Sequence, residues 1–291
     1  MNRWRIFFFG MIGAALFLTG CGGKEELRIT SIALFTDRGE QSLNIAQLKG
    51  AIKSINPDIE IIDLIHSSES LPTYTASYLL DKCARYFPAG TVFVVDLKPD
   101  VGASPKHIVV RTKANKFYVG ADNTIFTRVI QREGIQEACE LNQSKYFLTP
   151  HPSSAFLGRD VFGPIAAHIS LGKNLKEFGA HLPKIDGHAI NMPTVMNSNI
   201  TGEIVHIDSS GDIITNIQAS HVSALKPGQL VRLMYKGQTH SIPFLQDSGD
   251  INEERLIALL NCDGELEIAF LQKNAASFLK AKPGDSILIK Y

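Results

Sequence analysis

The sequence has little cysteine, no surplus of either charge and, past its first twenty residues, no long apolar run. Its four cysteines stand at 21, 83, 139 and 262 of 291 residues, spacings that hold neither a C-x-x-C redox pair nor a zinc knuckle. Cys83 falls on the apolar side of a helical pattern and reads as packing. Basic and acidic side chains number 29 each, so no basic face is on offer to nucleic acid. The nine histidines are scattered without close metal-ligand spacing, and no metal site is expected. His168, inside "FGPIAAHISLG", reads as a core or capping residue. Low-complexity tracts and solenoid repeats are also missing.

What is present begins with an address. "MNRWRIFFFGMIGAALFLTGCGG" has a basic start at Arg3 and Arg5, an apolar run from Ile6 to Leu18 and small residues leading into Cys21. A run of about 13 residues is short of the roughly 20 that a spanning helix needs. "LTGC" resembles a bacterial lipobox, which implies cleavage before Cys21 and lipidation of its thiol. Residues 1–20 are then a signal peptide and 21–26 a lipidated cysteine and tether. The chain is expected in the cell envelope, held to a membrane through Cys21, on a periplasmic face or the cell surface.

Between residues 27 and 182 strand and helix patterns alternate. "LRITSIALFT" is β-rich and ends at Thr36. "SLNIAQLKGAIKSI" places Ile45, Leu48, Ile52 and Ile55 at helical spacing. "DIEIIDLI" is a second strand, Ala76, Leu79, Leu80, Cys83 and Phe87 form another helical stripe, and "TVFVVDL" is a third strand. This order predicts an α/β domain on a mainly parallel sheet. "VVDLKPDVGASPKHIVV" reads as strand, turn, strand. Ligands collect at the carboxyl ends of such strands, so Thr36–Gly39, Ile65–Ser67 and Asp96–Gly102 are expected to converge on one crevice.

Residues 183–200, rich in Pro, Asn and Gly, read as a linker. From 201 to 291 come short β-type runs, among them "GEIVHID", "IITNI", "QLVRLMY", "RLIALLN", "LEIAFLQ" and "SILIKY". "KPGQ" and "KPGD" suit type II turns. A small all-β barrel domain is predicted.

Six stretches carry a family resemblance: "ALFTDRGEQSLNIAQLKG", "YFPAGTVFVVD", "FYVGADNTIFTRV", "SSAFLGRDVFGPIAAHISLG", "HIDSSGDIITNI" and "QKNAAS". In that order they resemble the S-adenosyl-L-methionine (SAM) hydroxide adenosyltransferases and their halogenating relatives, the fluorinases and chlorinases. The resemblance spans Ile29 to Tyr291. It implies an α/β domain, a β-barrel and a homotrimer that binds SAM between the N-domain of one subunit and the C-domain of the next. No cofactor is implied; SAM or adenosine is the expected ligand.

Residue by residue, the resemblance places Asp37 on the ribose hydroxyls and Phe156 at an aromatic site. Asp208 matches the acidic residue of the C-domain, Asp212 stands for the usual Asn, and Asn274 and Ala275 match the segment facing adenine. The hydrolytic Asp, Arg and His correspond to Lys98, to Pro105 or Lys106, and to Leu157, so none is retained. The halide-binding Tyr, Thr and Ser correspond to Lys98, Val101 and Gly158, which excludes halogenation.

An ammonium at Lys98 opposes a sulfonium by roughly 1 kcal/mol at 4 Å in bulk water and about 4 at an effective dielectric of 20. Arg38 adds a second cation. Two alternatives stand at this point: a pocket that prefers a neutral or anionic adenosine-like ligand, or Arg38 and Lys98 paired inertly with Asp37, Asp96 or Asp100. Three functions compete: an envelope binding lipoprotein with little SAM hydrolysis, an active SAM hydrolase with a rearranged site, and a ligand-free structural trimer.

Overall fold

The computed structural model describes residues 27–98, 104–187, 190–246 and 254–291. The signal peptide, Cys21 and its tether, Asp100 and Val101 lie outside the described residues.

The N-terminal domain contains β1 (Ser31–Thr36), α1 (Leu43–Ile55), β2 (Glu60–His66), α2 (Thr73–Ala84), β3 (Thr91–Asp96), β4 (His107–Thr112), β5 (Phe117–Ala121), α3 (Thr127–Glu133), β6 (Ile135–Glu140) and α4 (Gly163–Ser170). Its sheet runs β2-β1-β3-β5-β4-β6. The first four strands in that order are parallel, and β4 is antiparallel to both β5 and β6. All six residues of "SIALFT" in β1 are buried because both faces of the sheet are covered. Ile32 and Leu34 pack with Leu48 and Ile52 of α1 and Ile165 of α4. Ala33 and Phe35 pack on the other face with Ala76 and Leu80 of α2 and Val129 of α3. Ser42 caps α1 by accepting the Asn44 N–H at 3.2 Å.

One local reading gains its place in the sheet and two expectations change. The strands of "VVDLKPDVGASPKHIVV" are β3 and β4, but β5 lies between them in the sheet. The helical stripe stops short of Phe87: α2 ends at Ala84, and Phe87 instead packs edge-on against Phe93, ring centres 5.5 Å apart. Within the expected linker, β7 (Thr194–Met196) forms a hairpin with β8 (Asn199–Ile207). Asn197 and Ser198 both have positive φ, 46° and 63°, the conformation of a tight two-residue hairpin turn. The polar composition that reads as linker is thus partly turn chemistry.

The C-terminal domain continues with β9 (Ile213–Gln218), β10 (Leu230–Tyr235), β11 (Gln238–Pro243), β12 (Leu256–Leu260), β13 (Glu265–Phe270), α5 (Ala275–Leu279) and β14 (Ser286–Lys290). The strands run β11-β10-β14-β8-β9-β13-β12, and a bridge from Phe244, just past β11, to Ala258 of β12 nearly closes the barrel. Ile204, Ile213, Leu233, Ile268 and Ile289 fill its interior. In both "KPG" turns the glycine has the positive φ a type II turn requires, 83° at Gly228 and 89° at Gly284.

The two domains meet along α2. Tyr74 donates to Glu203 at 3.0 Å and Tyr78 to Glu265 at 2.6 Å, while Lys82 pairs with Glu265 at 2.9 Å and Asp263 at 3.1 Å. The guanidinium of Arg128 lies 5.1 Å from the Tyr74 ring and 5.7 Å from that of Tyr78. This polar seam ties the two domains together through charge-assisted hydrogen bonds.

Candidate nucleoside site

The register of the parallel strands builds the site. Thr36 sits opposite His66 on one side and Asp96 on the other, so the chain leaves β1, β2 and β3 at one level. The loops are tied together by Ser67 N–H to the Thr36 carbonyl at 3.0 Å and Gly39 N–H to the Ser67 carbonyl at 2.8 Å. The His66 ring bridges Thr36 Oγ1 and Asp63 Oδ1, each at 2.9 Å.

Asp37 leaves the end of β1 fully buried. Its Oδ1 accepts the Lys98 backbone N–H at 2.9 Å. Its Oδ2 has no hydrogen-bond partner among the described residues. A buried carboxylate oxygen left without a donor costs stability, and a ligand hydroxyl would satisfy it.

Arg38 turns towards β3. Its Nε and Nη2 fork the Asp96 carboxylate, both at 3.1 Å, with only 10% and 2% of the two side chains exposed. Of the partners open to Arg38 at the sequence level, Asp96 takes it, so the crevice does not gain two free cations. Burial nevertheless raises the Asp96 pKa, with the Arg38 charge acting against the shift and the Asp37 charge adding to it. Gly158 is required here, since a Cβ on it would lie 2.5 Å from Asp96 Oδ2.

Phe156 is placed beside this pair but is not open for stacking on a base. Its ring has the Arg38 guanidinium at 5.7 Å and that of Arg159 at 5.0 Å, and Arg159 in turn forks Asp160 at 2.6 and 3.1 Å. Lys98 contributes its backbone N–H to Asp37 while its side chain is exposed. Lys106 is more than half exposed and pairs with Glu140 at 3.6 Å. Leu157 and Pro105 line an apolar cavity. No residue at these positions could act as a buried acid or base.

The C-domain residues form a second group. Asp208 Oδ1 accepts the N–H groups of Ser210 and Asp212, each at 2.9 Å, closing the turn between β8 and β9. Asn274 caps α5 through the Ser277 N–H at 2.6 Å, Ala275 is fully buried, and the Ala276 N–H reaches the Gly211 carbonyl at 2.9 Å. Burial raises the Asp212 pKa, with Asp208 adding to the shift. Glu267 belongs here too: burial raises its pKa, reinforced by the charges of Asp212 and Asp208. Its position midway along β13 hides it in the sequence, because alternation alone does not reveal which turn a strand residue faces.

Gly211 joins the turn to the cap. It has φ of 87°, and a Cβ there would lie 2.0 Å from Asn274 Nδ2. Gly211→Ala is therefore expected to destabilise the chain by about 1–3 kcal/mol, read as a lowered chemical-denaturation midpoint. Among the described residues, Asp37 and Phe156 stand in one group and Asp208, Asp212, Asn274 and Ala275 in another. Among the described residues no hydrogen bond, ion pair or ring contact joins the two groups.

Comparison with known proteins matches this two-part organisation. Residues 32–179 match the SAM hydroxide adenosyltransferase N-terminal domain and 202–288 the corresponding C-terminal domain. An (R)-S-adenosyl-L-methionine hydrolase of Methanocaldococcus jannaschii is 31% identical over 89% of this chain and 95% of its own length. A fluorinase of Actinoplanes sp. is 26% identical over 84% and 91%. The crystal structure of an uncharacterized conserved protein from Thermotoga maritima superimposes with a TM-score of 0.82 at 32% identity, covering 89% of this chain and 100% of that one. With both domains matched in order and a hydrolase relative aligned almost end to end, the chain belongs to the SAM hydroxide adenosyltransferase family.

Proposed function

We propose that this family member binds an adenosine-type nucleoside at the cell envelope, anchored by a lipid on Cys21, with little or no hydrolysis of SAM. The observation that carries the reading is the half-satisfied carboxylate of Asp37, one oxygen fixed and the other buried without a partner among the described residues. A ribose hydroxyl is a donor that such an oxygen accepts, and a carboxylate can serve two hydroxyls at once. At the positions where the resemblance puts the hydrolytic groups, Lys98 is an exposed ammonium and Pro105 and Leu157 are hydrocarbon.

The separation of the two residue groups within one chain fits a ligand held between neighbouring copies, as in a homotrimer. Export fits the loss of chemistry, since SAM is made and used in the cytoplasm. The relative named a SAM hydrolase favours a second reading, turnover of SAM through a rearranged site. The third, a trimer with no ligand, leaves unexplained the Asp37 oxygen that has no partner among the described residues.

Calorimetry on the full-length chain in mild detergent tests the proposal with adenosine, AMP and SAM. Heat is expected with adenosine, and Asp37→Ala should weaken it by at least about tenfold, one charge-assisted hydrogen bond being worth about 1.5–3 kcal/mol. Absence of heat with all three ligands would refute nucleoside binding.

A further inference from the structure

A cavity of about 230 Å³ opens beside the Asp37 crevice. Val95 and Leu97 form one wall at the end of β3, Pro105 and His107 another at the start of β4, and Leu157 and Phe162 close it from the helical turn that leads into α4. Its lining is tied through the chain to the residues around Asp37. Leu97 adjoins Lys98, whose N–H holds Asp37, and Leu157 adjoins Phe156, whose ring lies under Arg38.

The lining is chemically one-sided. Among the described residues no carboxylate and no Lys or Arg lines the cavity. Among the described residues His107 is its one titratable group; burial lowers its pKa, so the ring is neutral at pH 7, and it sits edge-on to Phe162 with centroids 5.5 Å apart. The polar lining comes from Ser104, Ser154 and Asn123, and Asn123 Oδ1 is buried without a partner among the described residues. Apolar space of this kind is poorly hydrated and takes apolar groups readily. The charged amino-acid tail of SAM would lose its water there and meet no ion among the described lining residues to replace it.

We infer that the ligand of this crevice is a nucleoside carrying an uncharged, mainly apolar substituent that fills the cavity between the ends of β3, β4 and β5. The inference rests on the nucleoside-binding reading above and narrows it to a substrate class. Each buried methylene is worth about fourfold in affinity, so a four-carbon chain should gain at least about tenfold even when only half buried.

The test uses the full-length chain in detergent and competition among adenosine, 5′-butylthio-5′-deoxyadenosine, N6-butyladenosine and SAM. At least one butyl derivative is expected to bind tenfold or more tightly than adenosine, with SAM weaker than both butyl compounds. Leu157→Asn should shrink the ratio of butyl derivative to adenosine to about threefold or less, and Leu157→Met, which keeps the wall apolar, should preserve it. Thermal melts of both variants check that each folds. If adenosine binds and neither butyl group improves on it, the inference is overturned while nucleoside binding stands. If no nucleoside binds, both fall together.

Discussion

Arg38→Ala is expected to lower the stability of the chain by about 3–5 kcal/mol, because it leaves the Asp96 carboxylate buried and unpaired. Asp96 is 1% exposed, and both of its oxygens are held by the Arg38 fork. The pH dependence gives the prediction its direction. Burial already raises the folded pKa of Asp96 above its usual 3.8, so the folded chain keeps a proton that the unfolded chain has released. The contribution of this group to stability is therefore fullest below pH 3.8 and falls as pH rises through the folded pKa. Removing Arg38 raises that pKa further. The deficit of the variant should grow from acid to neutral pH, and adding Asp96→Asn should recover part of it. Denaturation curves at pH 4, 5.5 and 7 measure this; a pH-independent deficit below about 1 kcal/mol would show that the pair is not buried as described.

Lys98→Asp is expected to tighten SAM binding by about thirtyfold while changing adenosine little. The Lys98 side chain is exposed, so the appropriate dielectric is close to that of water. A sulfonium bound about 4 Å from this side chain would gain about 1 kcal/mol from loss of the like charge and about 1 kcal/mol from the opposite one. Together these make about 2 kcal/mol, and the effect should shrink as salt is raised. Adenosine has no charge to respond. Competition binding at low and high ionic strength distinguishes this from a change in the shape of the pocket, which would shift both ligands and ignore salt.

The core of each domain is legible in the sequence because its signals are local. Ile45, Leu48 and Ile52 mark the buried side of α1, and the proline-glycine turns at 226–229 and 282–285 fold as their composition predicts. Less visible are elements whose pairing depends on partners elsewhere. The "QTHSIP" stretch of β11 is polar at four of six positions and ends in proline, yet it pairs fully with β10. The place of β5 between β3 and β4 is a matter of sheet order, which periodicity does not encode.

The candidate site divides in the same way. Loop convergence follows from parallel strands ending at one level, so Asp37, His66 and Asp96 could be expected as neighbours. The choice of Asp96 as the partner of Arg38, 58 residues away, was one of several open to it. The cladding of Phe156 by two guanidiniums is hidden because Arg159 acts through a turn whose geometry only the folded chain supplies. The apolar cavity is the least legible feature, being the space left by side chains from three strands and a loop.

On the proposed reading, the crevice keeps its nucleoside carboxylate and has lost the means to activate water. The most direct measurement is chromatography of SAM incubated with the purified full-length chain, with Lys98→Ala alongside. The account predicts adenosine release no faster than from SAM alone, for both proteins. Adenosine formed at an enzymatic rate by the native chain, and lost when Lys98 is removed, would contradict it.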